Sequence, residues 1–399
     1  TADDVIVRAA DNISLQVQGG EYGIDIAGNA AVQLFYDASV HTTAKLATTA
    51  TGVSVHGEVA ASQDYPNFRP TVDWNFAAVK KLDPRITYIR TGPASYVDHL
   101  GFVRLVGDNT PRFDHDPATR ESKGLLIEPS RTNILPYSFD DSKWATNSAG
   151  TLTRNAGTAP DGTETATKIS TSSTDMDVGP TVSNGDSNTY ISISASTAYT
   201  FSVWAKASTT AQVGNTFKVR MKRTSGTLFT AEATFTLTAN WAQYSVTGTT
   251  ESNNTAVWCY VGGVTGSEAL VWGAQLEAGS YATSLIPTNG TSATRGIDLA
   301  YLDGTAGTEF DDIYRTDEGT FIIDWFNDPQ GNHNDGYVFA VDDGTGNNRI
   351  AAVNSNSYQV TVTSGGSSQG TRDLGSINSG ANKIAFTYKL NDQATSLNG

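Results

Sequence analysis

The sequence predicts an all-β, multidomain protein in which an N-terminal β-stalk is followed by two β-sandwiches, the first of them a jelly roll. Three observations carry that expectation. Apolar and polar residues alternate with a period of two along most of the chain, and no useful length repeats at the helical period. Of 399 residues, 17% are charged and 38% hydrophobic, with abundant Gly, Thr, Ser and Asn in place of helix formers, a composition suited to strands and turns. Gly, Pro and Asn-Gly punctuate the alternating runs at short intervals. The length exceeds what one core serves, so several domains are expected.

Residues 1–62 alternate at Val5/Val7, Ile13/Leu15/Val17, Ile24/Ile26, Val32/Leu34/Tyr36 and Val53/Val55. These runs are short and contain few large apolar residues, so the segment alone buries little. The expectation is an oligomeric β-stalk or attachment segment whose missing core is supplied by identical chains; a small independent β-domain is the alternative. Residues 63–135 concentrate proline and charge, with strand-like Ile86–Ile89 and Phe102–Val106 between DPR, TGP and DNTP turns, the pattern of a connector with short hairpins.

Residues 136–295 hold successive alternating runs at Ala166–Ser170, Tyr199–Lys206, Phe217–Lys222, Ala233–Leu237, Ala242–Val246, Val257–Val261 and Leu270–Leu276. About eight strands at short spacing without helical crossovers favour a two-sheet jelly roll over a parallel α/β fold. In FKVRMKR, Phe217, Val219 and Met221 face inward, and Lys218, Arg220 and Lys222 face outward. The closing strand sets Leu270, Trp272, Ala274 and Leu276 against Val271, Gly273, Gln275 and Glu277, so a half-buried strand with one apolar face is expected. Pro287 and Asn289-Gly290 end its pairing.

Residues 296–399 contain GTFIIDWF, DGYVFAVDDGTGNNRIAAVN, SYQVTVTSGG and NKIAFTYKLNDQATSLNG, which resemble strands of a concanavalin- or laminin-G-like sandwich. The stretch is short for such a domain, so either the chain continues past Gly399 or this sandwich is incomplete. VQLFYDASVHTTAKLATTATGVSVHGEVAAS resembles stem segments of bacteriophage tail fibres. LDPRITYIR, YVDHLG, PRFDHDPATRESKGLLIEPSRTN and the later WGAQLEAGSYATSLIPT resemble a signature of phage fibre and head-spike proteins that brackets a carbohydrate-binding-type jelly roll.

A net charge of −15 argues against nucleic acid as a partner, because neutralising phosphates needs clustered Lys and Arg. No stretch reaches the ~20 apolar residues of a membrane-spanning helix, so no membrane insertion is expected, and TADDVIVRAA lacks the order of a signal peptide. The first residue is not Met, which points to processing or to a start inside a longer chain. Cys259, the single cysteine, lies in the alternating run AVWCYVGG and reads as a small buried hydrophobe.

Asp114-His115-Asp116 invites a metal or proton-transfer reading, but neighbours on an extended segment point to opposite faces, which favours an Asp-capped turn. Asp342 and Asp343, with Asn347 and Asn348, offer oxygen ligands for calcium, although DDGTGNN equally fits a hairpin turn; no other cofactor is expected. Asp311-Asp312 and Asp324 stand isolated, without the paired carboxyls of a glycosidase, and hydrolase and phosphate-loop motifs are missing. Catalysis is therefore not expected.

Trp204, Trp258 and Tyr260 alternate with inward residues and are the glycan-contact candidates, since a flat aromatic face packs against the C–H groups of a sugar ring. Outward aromatics can instead be subunit contacts or belong to the second sheet. Trp241, in ANWAQYSVTG, reads as structural. Together the residues and the resemblance imply a virion fibre protein, a homotrimer joined to other virion proteins of the tail or capsid, adhering to host-surface polysaccharide. A tail fibre is the first expectation; a capsid-attached head spike or decoration fibre and a polysaccharide-degrading tailspike are the alternatives.

Overall fold

The computed structural model describes residues 13–16, 22–26, 32–34, 46–49, 52–55, 70–139, 143–146, 150–171, 178–180, 191–223, 230–263, 266–302, 313–327, 336–354, 357–376, 380–389 and 392–398. The chain divides into two units, Thr1–Pro70 and Thr71–Gly399. The Val5/Val7 run and Asp311-Asp312 lie outside the described residues. Among the described residues no helix is long and apolar enough to cross a membrane.

The first unit is one antiparallel meander of β1 (Ile13–Gln16), β2 (Tyr22–Ile26), β3 (Val32–Leu34), β4 (Leu46–Thr49) and β5 (Gly52–Val55), paired in sequence order. Register sets Ile13 opposite Ile26 and Ile24 opposite Leu34, so cross-strand apolar pairs align as the alternation requires. None of its described side chains is buried, and Leu15 remains 58% exposed.

The second unit opens with a connector that holds one helical turn, α1 (Phe76–Val79), capped by the Asn75 side chain on the Ala78 N–H. Its short strands are β6 (Thr87–Ile89), β7 (Ala94–Val97), β8 (Val103–Val106), β9 (Phe113–His115), β10 (Ser122–Leu125) and β11 (Arg131–Asn133). The jelly roll follows with β12 (Trp144–Thr146), β13 (Gly150–Gly157), β14 (Ala166–Thr171), β15 (Val178–Pro180), β16 (Ile191–Ser192), β17 (Ala198–Ala207), β18 (Thr216–Arg223), β19 (Thr230–Thr236), β20 (Ala242–Thr249), β21 (Ala256–Gly263) and β22 (Glu268–Ala278). One sheet runs β12-β15-β21-β18-β19, with β16 also on β21; the other runs β13-β14-β22-β17-β20. Between them lies the main core, including Phe201, Val203, Phe217, Val219, Met221, Cys259, Val261 and Leu276. Each such side chain contributes about 1.5–3 kcal/mol by leaving water. Cys259 is buried there, and burial pushes its thiol up.

The closing strand β22 departs from the expected half-buried pattern, because every residue from Ala269 to Glu277 is buried. Ala269 and Val271 enter the main core, but so do Ala274 and Leu276, while Leu270 and Trp272 point the other way. The switch is a β-bulge. Pairing with β17 shifts between Ser202 and Trp204, and Gly273 takes up the extra residue at φ +65, a conformation open to glycine. The period of two is thus correct on each side of Gly273 and changes phase across it.

After β22 the chain returns to the connector: β23 (Ala293–Arg295) pairs with β11, and β24 (Leu299–Tyr301) pairs with β6. At Gly92 a Cβ would stand 2.0 Å from the Thr294 carbonyl oxygen, so only glycine allows this approach. Connector and exit together cover the outer face of the five-stranded sheet. Val97, Val103 and Leu285 there form a second core with Trp204, Leu270 and Trp272.

This cover is fixed by buried charge. Arg90, Arg112 and Arg295 are fully buried. Arg112 meets Glu128 at 2.7 Å and Asp298 at 2.5 Å, Arg295 meets Glu128 at 3.1 Å, and Arg90 meets Asp298 at 3.4 Å. Ser284 donates to Glu128 from its N–H and hydroxyl, and the Tyr88 hydroxyl donates to Asp298. Burial acts to raise the Glu128 carboxyl, but Arg295, Arg112 and Ser284 outweigh it and hold it at about 2. Tyr88, Arg90, Arg112, Glu128 and Ser284 come from the segments LDPRITYIR, PRFDHDP, LLIEPSRTN and SYATSLIPT that flank the sandwich, and Arg295 and Asp298 follow them in the exit, so these segments meet in the ion network that fastens the connector to the sheet.

The second sandwich faces β25 (Glu318–Asn327), β30 (Gly380–Lys389) and β31 (Asp392–Leu397) against β26 (Gly336–Asp342), β27 (Arg349–Asn354), β28 (Tyr358–Ser364) and β29 (Ser367–Gly375). Ala352, Val360, Ile384, Phe386 and Tyr388 form its core.

Candidate functional site

The outer face of the six-stranded sheet is built by β18, β19 and β21. Alternation sends Val257, Cys259 and Val261 into the main core and turns Trp258 and Tyr260 outward, where both are half-buried. Their ring centroids are 6.1 Å apart in an edge-to-face arrangement, a favoured geometry for aromatic pairs. Register then places a cation beside each ring: Lys222 lies opposite Trp258 and Arg220 opposite Tyr260, while Lys218 lies opposite Gly262, which contributes no side chain. The Lys222 ammonium sits 5.5 Å from the centre of the Tyr260 ring, within cation–π range. Burial, with the neighbouring Cys259 adding to it, pushes the Tyr260 hydroxyl up to about 12, so the phenol stays neutral and can donate a hydrogen bond.

Strand β19 completes the strip with Glu232. Its carboxylate takes Lys218 at 2.7 Å on one oxygen and Arg220 at 3.3 Å on the other. The hydrogen bond from Lys218 is the chief reason its carboxyl lies below the ordinary glutamate range. A carboxylate held charged in this way is a poor general acid. What the strip can do is bind: Trp258 and Tyr260 leave part of their apolar rings open in an edge-to-face arrangement, and Lys218 and Lys222 border them as hydrogen-bond donors.

The other residues singled out from sequence fall elsewhere. Trp204 does leave the main core as the alternation requires, but it is only 7% exposed, because Val97, Val103 and Leu285 of the connector and exit lie over it. The expectation of Trp204 as a solvent-facing glycan contact is corrected accordingly. Trp241 packs against the same second core and donates from its indole to the Thr158 carbonyl at 3.2 Å, the structural role its sequence context suggested.

Asp114, His115 and Asp116 do not converge. Asp114 accepts from the Val97 N–H at 2.7 Å, the His115 ring meets the Val97 carbonyl at 3.1 Å, and Asp116 caps the N–H groups of Ala118 and Thr119. Asp116 is the turn cap expected; Asp114 instead ties β9 to β7, and burial pushes its carboxyl up to about 6.

Asp342 accepts from the Gly344 N–H, and Asp343 accepts from the Thr345 N–H and hydroxyl and from the Asn348 amide. Their side chains thus hold a hairpin turn, the reading that DDGTGNN equally fits. Among the described residues no three His, Cys, Asp or Glu side chains gather as a metal site. Asp324 pairs with Lys383 at 3.3 Å on an exposed strand.

Sequence reasoning found Trp258 and Tyr260 and the outward direction of Lys218, Arg220 and Lys222, but did not join them. Glu232 was missed, because nothing in a strand's own sequence says which strand lies beside it. The available signal was three cations at alternate positions in a chain of net charge −15.

No family model matches the sequence, and no curated protein matches it. Among solved structures, the chain is similar to the CBM22-1 xylan-binding domain from Paenibacillus barcinonensis Xyn10C, at 10% identity and a TM-score of 0.29, over 37% of this chain and 92% of that one. It is also similar to the CBM22-1 and GH10 modules of Clostridium thermocellum xylanase 10B complexed with xylohexaose, at 12% identity and a TM-score of 0.28, over 39% of this chain and 30% of that one. A third similarity is to the enzymatically active domain of bacteriophage CBA120 tailspike protein 4, at 10% identity and a TM-score of 0.26, over 35% of this chain and 20% of that one.

Proposed function

We propose that the jelly roll holds a polysaccharide along the outer face of its six-stranded sheet, and that the chain is the adhesive part of a bacteriophage tail fibre, assembled as a homotrimer. The observation that carries the binding reading is the half-exposed Trp258–Tyr260 pair ringed by Lys218, Arg220 and Lys222. Sugar rings stack on the aromatic faces and their hydroxyls meet the cationic donors. No bond is broken. Support for the fibre comes from the resemblance of the stem and bracketing segments to phage fibres. Support for a trimer comes from the first unit, where no described side chain is buried, so that partner chains would supply the cover. Three linked copies make each later contact intramolecular, which raises weak single-site affinity by multivalency.

The test is a glycan array probed with the full chain and with Trp258→Ala. A saturable, competable signal that falls at least about tenfold in the variant, a loss of about 1.4 kcal/mol, supports the reading; equal binding by the two proteins removes the site. Light scattering at micromolar concentration tests assembly, where a trimer mass is expected and a monomer contradicts the stalk.

A further inference from the structure

We infer that the outer face of the connector, around Ile89 and Leu299, is a contact between copies of this chain. This rests on the homotrimer reading above and names a surface that the trimer covers.

The exit segment 293–301 has a neighbouring segment on each side. β24 pairs with β6, which sets Leu299 opposite Ile89 and Tyr301 opposite Thr87. On the other side β23 pairs with β11, and the Asp298 N–H donates to the Glu128 carbonyl, which carries that ladder toward Ile127. Continued in the same register, Ile127 falls opposite Leu299, so Ile89, Leu299 and Ile127 form one row across three segments. Period-two alternation then divides the side chains. Tyr88, Arg90, Glu128 and Asp298 turn inward to the ion network. Ile89, Ile127, Ile297, Leu299 and Tyr301 must therefore turn outward, and each is between 40% and 50% exposed.

This pattern is inverted, with charge inside and apolar side chains outside. A sheet with one face in water ordinarily sets its hydrophobic residues inward and its polar ones outward, so the exposed apolar face is the informative one. Five large side chains, each open over about half its surface, leave on the order of 400 Å² together, the size of contiguous patch that marks an interaction site.

Charge and area select a copy of the same chain as the occupant. The molecule carries −15, so two copies repel one another. The outward positions Thr87, Ile89, Ile127, Ile297, Leu299 and Tyr301 include no charged residue, and there copies can meet without opposing carboxylates. A freestanding interface buries roughly 800 Å² on each partner, about twice what this patch offers, so the patch is too small to hold a partner met from dilute solution. It suffices for copies already joined. The connector follows directly on the first unit, which ends at Pro70, and a short link between joined chains raises the effective concentration of a second contact to the mM range.

The experiment uses the full chain. Sedimentation over a dilution series gives its mass and dissociation constant. Hydroxyl-radical labelling of Tyr301 is followed in the same samples against Tyr337, which is 58% exposed in the second sandwich. A trimer is expected in which Tyr301 is labelled about tenfold more slowly than Tyr337, with that protection lost on dissociation. The double variant Ile89→Lys and Leu299→Lys is expected to raise the dissociation constant about tenfold or more and to open Tyr301, with melting temperatures compared to confirm folding; where the variant does not fold, labelling of the original chain decides. A trimer whose Tyr301 reacts as readily as Tyr337, or a folded variant that assembles as tightly as the original chain, overturns the inference and leaves the stalk in place. A chain that is monomeric at every concentration overturns the inference together with the trimer. Protection of Tyr301 in such a monomer by phosphatidylcholine vesicles overturns it as well and gives the face to a lipid surface.

Discussion

The jelly roll has two outer faces, and each carries tryptophan on a central strand. On the five-stranded sheet Trp204 and Trp272 point away from the main core; on the six-stranded sheet Trp258 and Tyr260 do so. Strand alternation is the same in both. Trp204 is nevertheless 7% exposed and Trp272 3% exposed, roofed by the connector and exit, whereas Trp258 and Tyr260 remain half open beside a row of cations. The difference teaches that whether an outward aromatic stays open to a ligand depends on what the rest of the chain lays across it. Charge follows the same division in part: buried Arg and Glu fasten the roof, while Lys218, Lys222 and Glu232, with the buried Arg220, border the rings.

Substitutions on the two faces therefore have different readouts. The largest effect on folding is expected from Glu128→Gln, which leaves Arg112 and Arg295 buried with one carboxylate fewer; a loss of about 3–5 kcal/mol is predicted by denaturant titration, and a change below about 1 kcal/mol would show the roof held by other means. Trp204→Ala opens a cavity in the second core and costs about 3–5 kcal/mol, with glycan affinity in the remaining folded protein unchanged. Gly273→Ala places a side chain at φ +65 with its Cβ 2.9 Å from Leu285, and about 1–3 kcal/mol is expected; a neutral result contradicts the bulge. Trp258→Ala costs about 1–2 kcal/mol of stability but removes binding, the reverse of Trp204→Ala.

The smallest effect is a pH dependence. Asp114 has its folded value raised from 3.8 to about 6, so its contribution is complete below about pH 4 and is lost as pH rises through 6. Glu128 is lowered from 4.5 to about 2, so its contribution is complete above about pH 4.5 and is lost as pH falls through 2. Asp114→Asn should flatten melting temperature between pH 4 and 6 and leave the acid limb in place; an unchanged slope between 4 and 6 assigns it elsewhere.

Much of the architecture was legible in sequence because one strand's own period shows which residues share a face. Val257, Cys259 and Val261 were readable as inward and Trp258 and Tyr260 as outward for that reason alone. Short or weakly alternating strands such as Trp144–Thr146 and Ile191–Ser192 gave no such signal, and the phase change at Gly273 hid within a run whose Leu270, Trp272, Ala274 and Leu276 keep a period of two in sequence. Which elements lie across one another was not legible. Trp204 and Trp258 look alike in sequence, and only the return of Ala293–Arg295 and Leu299–Tyr301 to the connector separates them. The signature segments were recognisable as a pattern, but the role of Arg90, Arg112, Glu128 and Arg295 as one buried network depends on contacts spanning more than 150 positions.

Hydroxyl-radical footprinting of the full chain, with and without a bound polysaccharide, tests the division between the faces most directly. Oxidation of Trp258 and Tyr260 in the free protein, protection of both on binding, and silence of Trp204 and Trp272 throughout are predicted. Labelling of Trp204 in the folded protein, or a Trp258 that stays equally reactive under saturating polysaccharide, would contradict the assignment of one face to stability and the other to recognition.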